Sequence, residues 1–234
     1  MRIIMVLSAL AVCGAAFSQN YAPVSGELQR WRIGNGAPTP GPVTLYDNTV
    51  NYLGYYFPGN WWGPDFWGIC DDVHMTGGGL INGFEFVYYD PAGNTALTQV
   101  EWAAFDMTTY DSGPVGSYLG GGVLTGLPGD GFWLVQVDLT GSGEFFAPGG
   151  DIWFCLAFGG YYSDSPEAGW VIYDPPVVGS SHDLFLNFQD QGIYNFGGFP
   201  AASFGLRVYA VPEPGTIAAL GVGLAGLLGL RRRK

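Results

Sequence analysis

The density of glycine and proline is the feature that most restricts how this chain can fold. Gly 39 and Pro 16 together make up 55 of the 234 residues. Both residues interrupt helices, glycine through its backbone freedom and proline through its missing amide hydrogen, so a helical bundle is excluded. Hydrophobic residues still make up 48% of the chain and aromatic residues 16%. This excludes a disordered chain and indicates a real core built from strands and turns.

Short runs in which apolar residues alternate with other residues recur between clusters of Gly, Pro, Asp and Asn. In one run, Phe84, Phe86 and Tyr88 share one face, and Glu85 and Val87 share the other. Period-two alternation of this kind is typical of β-strands. We predict strands at 28–33, 51–57, 84–88, 98–105, 133–139, 152–158, 169–173, 184–188 and 204–208. Such a series predicts an all-β fold with two antiparallel sheets, a β-sandwich or jelly roll.

Residues 1–18 have the layout of a secretory signal peptide, which would be helical. A cationic residue precedes the apolar run 3–12, and small residues such as Ala16 and Ser18 follow it. We therefore expect the Sec translocon to export the chain and signal peptidase to cleave it before Gln19. A permanent amino-terminal anchor is the alternative, but the apolar run is too short to span a bilayer.

The carboxyl end has three parts. Pro212, Glu213 and Pro214 lead into the apolar run 215–230, and four cations, 231–234, close the chain. The cations favour the cytoplasmic side of a membrane, which places the bulk of the protein outside. The apolar run would form a transmembrane helix of about 24 Å, short of a ~30 Å hydrocarbon core. We therefore predict a transient stop rather than a lasting anchor.

This tail resembles the PEP-CTERM sorting signal of Gram-negative bacteria. The resemblance implies recognition of the Pro-Glu-Pro motif by exosortase, a membrane protease-transferase, and processing near that motif. It also implies a role linked to exopolysaccharide, biofilm or the cell surface. We expect a signal peptide (1–18), a β-sandwich ectodomain (19–210) and a sorting signal (211–234). The protein would lie transiently in the inner membrane, its carboxyl end cytoplasmic, before reaching the cell surface or extracellular matrix. An ordinary anchor behind a proline-rich stalk is the alternative.

The predicted ectodomain is strongly acidic. Its cations are Arg30, Arg32 and Arg207, against 19 of the 20 acidic residues, a net charge of −16. This charge excludes a general nucleic-acid binder. It predicts repulsion of anionic lipids and polymers, and it favours divalent cations or neutral glycans as partners. Solubility alone is the competing explanation.

Two cysteines remain after removal of the signal peptide. Cys70 and Cys155 would lie in an oxidising compartment, which predicts one disulfide between them. Two separate buried thiols are the alternative, because a free cysteine packs well as a small hydrophobic residue.

The densest aromatic stretch, 55–67, predicts a contact surface for glycans. Its Trp61, Trp62 and Trp67 stand in a Pro/Gly-rich loop. Consecutive aromatic residues in such a loop cannot all face one core, so some of these rings would stack on sugar faces. The alternative is a loop that buries its rings as a lid over one end of the sandwich.

Acidic residues near predicted turns suggest a structural calcium site. Asp71, Asp72 and Asp90 supply the hard oxygen ligands that Ca²⁺ prefers, although no EF-hand spacing is present. Turns in which aspartate binds its own backbone are the competing explanation. We predict no other cofactor.

The sequence gives little reason to expect catalysis. Ser181, His182 and Asp183 are the residue types of a triad, but neighbours in sequence cannot point at one another as a triad requires. We therefore predict a non-catalytic structural or adhesive protein. A carbohydrate-binding module is the alternative, and a secreted hydrolase is the third hypothesis.

Overall fold

The computed structural model describes residues 22–33, 43–58, 68–91, 99–107, 116–159, 168–187, 192–196 and 203–211. Every regular element in these ranges is a β-strand, which confirms the all-β prediction. The strands are β1 (Ala22–Pro23), β2 (Leu28–Ile33), β3 (Val43–Asp47), β4 (Tyr52–Pro58), β5 (Ile69–Met75), β6 (Gly79–Asp90), β7 (Gln99–Asp106), β8 (Tyr118–Thr125), β9 (Gly131–Asp138), β10 (Phe145–Ala147), β11 (Gly150–Phe158), β12 (Gly169–Tyr173), β13 (Leu184–Asn187), β14 (Gly192–Asn195), β15 (Ser203–Phe204) and β16 (Leu206–Val211). Within these ranges, no helix is long and apolar enough to cross a membrane. The predicted signal peptide and transmembrane helix lie outside them.

The strands form two sheets. In the larger one, of ten strands, β6 is central: β9 and β10 pair with one of its edges, and β12 and β16 pair with the other. β2 extends this sheet beyond β9, β3 extends it beyond β16, and β4 and β1 extend it beyond β12. The smaller sheet has six strands in the order β14-β13-β5-β11-β7-β8.

One strand pair departs from the predicted antiparallel arrangement. β2 and β9 run parallel, from Leu28 opposite Phe132 to Ile33 opposite Val137, whereas the other pairs of named strands in the described ranges are antiparallel. The prediction of purely antiparallel sheets is therefore wrong at this edge. Hairpins impose antiparallel pairing only on strands that follow each other closely, and β2 and β9 are far apart in the chain.

Aromatic side chains join the two sheets. The ring of Phe84 on β6 lies 5.0 Å from that of Trp102 on β7 and 4.9 Å from that of Phe154 on β11, centroid to centroid. At another point, Phe57 on β4 contacts Phe185 on β13 at 5.6 Å. Offset and edge-to-face ring pairs of this kind stabilise a core beyond their area burial. The sheets thus pack face to face as a sandwich does, and the jelly-roll strand order stays a prediction.

The alternation predicted for β6 is confirmed. Phe84, Phe86 and Tyr88 belong to the core between the sheets, and Val87 belongs to a second apolar cluster on the opposite face of the strand. Glu85 shares that opposite face and is only 1% exposed. Both faces of the central strand are therefore covered.

The first described segment helps to cover the outer face of the larger sheet. β1 pairs with β4 and β2 pairs with β9, so residues 22–28 cross from one side of this sheet to the other. On the way, Val24 and Leu28 pack against the outer apolar cluster, which includes Tyr56 and Phe132.

Several strands were not predicted from the sequence, among them β3, β5, β8, β10 and β14, and two of these show why. β5 carries charged residues at its centre, and β8 contains Gly120, Gly121 and Gly122, which resemble a loop. The glycines are required by packing. A Cβ atom at Gly120 would lie 2.8 Å from the ring of Phe145, and one at Gly121 would lie 2.6 Å from the carbonyl oxygen of Trp102.

The predicted disulfide is confirmed. Cys70 on β5 and Cys155 on β11 are opposite each other in the smaller sheet and form a covalent bridge. The bridge lies in an apolar cluster on the outer face of this sheet, together with Trp153, Leu186 and Met107. It therefore ties two neighbouring central strands whose cysteines are 85 positions apart in the sequence.

Candidate functional sites

Asp71 lies between the two sheets and connects them. Its side chain accepts hydrogen bonds from Ser203 Oγ, at 2.8 and 2.9 Å, and from the backbone amide of Phe204 at 3.4 Å. Ser203 belongs to the larger sheet, and its Oγ also lies 3.1 Å from Tyr46 Oη. Burial and then the nearby charge of Asp72 raise the pKa of the Asp71 carboxyl well above its ordinary value. This carboxyl is an internal structural group.

Asp72, the next residue, points to the opposite face of β5. It accepts hydrogen bonds from Ser181 Oγ at 2.8 Å, from the backbone amide of His182 at 2.5 Å and from that of Leu184 at 3.2 Å. Burial raises the pKa of this carboxyl, whereas these hydrogen bonds favour its charged form. Asp72 thus fastens the segment that leads into β13.

Asp90, the third residue of the predicted calcium site, lies apart from the other two. It ends β6 in the larger sheet and accepts a hydrogen bond from the backbone amide of Asp130 at 3.2 Å. Asp71 and Asp72 lie in the smaller sheet and face opposite sides of their strand. The structure does not bring the three carboxylates together, and nowhere in the described ranges do three or more His, Cys, Asp or Glu side chains form a group that could hold a metal ion.

Both histidines of the chain meet at one corner of the smaller sheet. The rings of His74 and His182 lie 6.2 Å apart, centroid to centroid. His74 Nδ1 contacts Asp151 Oδ1, and His182 Nδ1 lies 3.3 Å from Asp72 Oδ2. This corner was not predicted from the sequence, although alternation along β5 places residues 70, 72 and 74 on one face.

Ser181, His182 and Asp183 do not form a triad in this corner. Ser181 Oγ donates to Asp72, and the backbone amide of Asp183 donates to Ser181 Oγ at 3.3 Å. The Ser181 hydroxyl is therefore engaged with a carboxylate. A nucleophile would instead need its hydroxyl proton directed at an imidazole nitrogen.

A groove of about 410 Å³ opens on the outer face of the smaller sheet. Residues from β7, β8 and β11 line it, among them Glu101, Phe105, Tyr118, Val123 and the disulfide-bonded Cys155. Tyr118 is 62% exposed and meets the edge of the Phe105 ring at a centroid distance of 5.6 Å. The groove thus offers an aromatic rim, an apolar floor and one carboxylate.

A row of polar side chains crosses the outer face of the larger sheet. Arg32 Nε donates to Gln136 Oε1 at 2.8 Å, and Gln136 Nε2 donates to Glu85 Oε1. Arg207 binds Glu85 Oε2 through Nη1 at 2.6 Å and Asp47 Oδ2 through Nε at 2.9 Å. Each residue lies opposite the next in the strand register, so the row links β2, β9, β6, β16 and β3.

Two groups of predicted site residues lie outside the described ranges. They are Trp61, Trp62 and Trp67 of the aromatic stretch, and Pro212, Glu213 and Pro214 of the tail. The glycan-contact prediction for the three tryptophans therefore stays a prediction.

Comparison with known proteins identifies the tail. Residues 210–234 match the family model described as the PEP-CTERM protein-sorting motif, which confirms the predicted resemblance. Exosortase recognises motifs of this family, so the motif supports sorting by exosortase and export to the surface of a Gram-negative bacterium. No curated protein and no solved structure matches the chain.

Proposed function

We propose that this protein is a non-catalytic structural or adhesive component of the cell surface or extracellular matrix, associated with exopolysaccharide. The sorting motif at residues 210–234 is the observation that carries the proposal. The motif begins within the last described strand of a disulfide-bonded, two-sheet domain. A rigid domain delivered to the surface suits a mechanical role in a matrix.

The use of the buried carboxylates supports the absence of catalysis. Asp71, Asp72 and Glu85 each accept hydrogen bonds from residues of other strands or segments. A general acid or base must instead direct its carboxyl at a bound substrate. Because these groups hold sheets and segments together, we assign them to stability.

The proposal is tested in a strain that lacks the gene and is complemented with the full chain. We expect deletion to weaken the cohesion of the matrix under shear and wild-type protein to restore it. Complementation with His74→Gln and His182→Gln together tests the non-catalytic part, because it changes both imidazoles of the chain. We expect full restoration at equal surface amount. Unchanged cohesion after deletion would refute the structural role, and failed restoration by the double variant would refute the absence of chemistry.

Glycan binding by the groove is a second candidate function. The exposed ring of Tyr118, which lines the groove together with Glu101, favours it, since flat rings stack on sugar faces and carboxylates accept hydroxyl hydrogen bonds. We expect Tyr118→Ala to weaken binding of the exported protein to the polysaccharide isolated from the same cells. The matched control is Val177→Ala, at another exposed site. Equal binding by both variants and the wild type would exclude the groove.

A further inference from the structure

β2 forms an exposed edge of the larger sheet. In the described part of the chain, its one strand partner is β9, so its other backbone edge has no strand beside it. Four consecutive residues of β2, 29–32, are exposed, and Trp31 keeps 40% of its surface accessible. A backbone edge with exposed side chains on both faces can be reached by an extended ligand.

All three cations of the acidic ectodomain lie on the outer face of the larger sheet. Arg207 is neutralised there by Glu85 and Asp47. Arg30 and Arg32 follow each other on one face of β2, and no carboxylate of the described ranges lies within ion-pair distance of either. The partner of Arg32 is the neutral amide of Gln136.

These two guanidinium groups are spaced for an extended anion. Residues two apart on a strand share a face and stand about 6.6 Å apart along it. Each guanidinium has a fork of donors that matches the two oxygens of a carboxylate. The strand thus presents two positive charges in line that the described part of the protein does not neutralise.

An aromatic ring lies on the same edge. Trp31 lies between the two arginines in the sequence but on the opposite face of β2, where its ring and that of Trp133 are nearly perpendicular, with centroids 6.2 Å apart. An exposed indole suits stacking on a sugar ring, whereas the arginines suit carboxylates. We propose that the β2 edge, defined by Arg30, Trp31 and Arg32, binds an acidic polysaccharide through the carboxylates of its uronic acid units. This inference rests on the proposed surface role and names the ligand class for one site.

The positive charge that would attract an anionic ligand is confined to the β2 edge. The predicted ectodomain carries a net charge of −16, so a dense polyanion such as duplex DNA is repelled along most of its length. Nucleic-acid binding also needs many phosphate contacts, and two arginines supply few. A uronate chain carries its carboxylates as substituents of rings whose faces are uncharged, which matches an edge with two arginines on one face and an exposed indole on the other. The site is therefore an exception to the expected repulsion of anionic polymers.

The test measures how polygalacturonate, dextran and duplex DNA retard the exported protein, purified from the surface of the cells that make it, in affinity electrophoresis. We expect polygalacturonate to retard it more than dextran or DNA does. Arg30→Gln with Arg32→Gln should weaken binding to polygalacturonate at least tenfold, and Trp31→Ala several-fold. The matched control, Val50→Glu with Val177→Glu, adds the same change in net charge at exposed sites near β3 and β4. It should bind as the wild type does.

Several results would overturn the site. The first is that polygalacturonate does not retard the protein, and the second is that DNA or dextran retards it equally or more. The third is an equal loss of polygalacturonate binding in the arginine and valine variants, which would assign the effect to net charge. Thermal unfolding of each variant checks the fold, and Arg30→Gln alone serves if the double variant is unstable. Matrix cohesion is measured separately. If matrix cohesion depends on the protein but the protein does not bind polygalacturonate, the proposed site is refuted and the proposed surface role is not.

Discussion

Removal of the disulfide is the sharpest test of how this domain is stabilised. Cys70 and Cys155 are separated by 85 positions. In the chain-entropy model, closing a loop of that length lowers the conformational entropy of the unfolded state and so stabilises the fold by about 4.5 kcal/mol at 25 °C. Because the two cysteines are opposite each other on paired strands, the sheet holds its register without the bond. We therefore expect Cys70→Ala with Cys155→Ala to fold, with a free energy of unfolding lower by about 4 kcal/mol.

The assay is equilibrium unfolding in urea followed by tryptophan fluorescence. For a domain of this size, the expected loss lowers the melting temperature by roughly 8–16 °C. Reduced wild-type protein is the matched control, because it keeps both side chains and breaks only the bond. It should lose nearly as much stability as the variant. A loss under about 1 kcal/mol in both proteins would refute the reasoning and indicate an unfolded state already restricted by other contacts.

Three further predictions follow from buried groups. Burial raises the pKa of Asp71 in the folded state, so the stability that this carboxyl contributes is present below the unfolded pKa, near 3.9, and is lost as pH rises through the folded value. The free energy of unfolding of Asp71→Asn, relative to that of wild type, should therefore rise between pH 4 and pH 7, as measured by urea unfolding at each pH. A difference between the two proteins that does not change with pH would contradict this. Arg207→Met leaves Glu85, which is 1% exposed, without its cation and should lower the free energy of unfolding by about 3–5 kcal/mol. Arg207→Met with Glu85→Gln should recover part of that stability, and no recovery would count against the ion pair. Gly169→Ala would place a Cβ 1.9 Å from the carbonyl oxygen of Phe57. We therefore expect the free energy of unfolding to fall by about 1–3 kcal/mol or more. A melting temperature equal to that of wild type would be inconsistent with the close approach of β12 and β4.

Local patterns in the sequence predicted what depends on local physics. β2 and β12 have the predicted bounds, because a short run that contains aromatic and branched apolar residues and is bounded by turn residues favours a strand locally. The sorting tail was equally readable, since its three parts are contiguous. The disulfide followed from an even cysteine count in an exported chain.

Long-range partners account for what was missed. β5 reads as a loop because it contains two adjacent aspartates, and a strand tolerates them only if distant residues satisfy them. Ser203 and Ser181 do so, each more than 100 positions away. The polar row across the larger sheet likewise depends on strand register, which no spacing within one strand reveals.

The place of β16 has a consequence for how the domain is completed. This strand is the last described one, yet it lies between β6 and β3 and bonds to both. Since synthesis proceeds from the amino end, the gap between those two strands stays open until the final residues before the sorting motif arrive. A chain cut short would expose two bare strand borders prone to aggregation. The larger sheet is therefore completed only when the last described strand has been made.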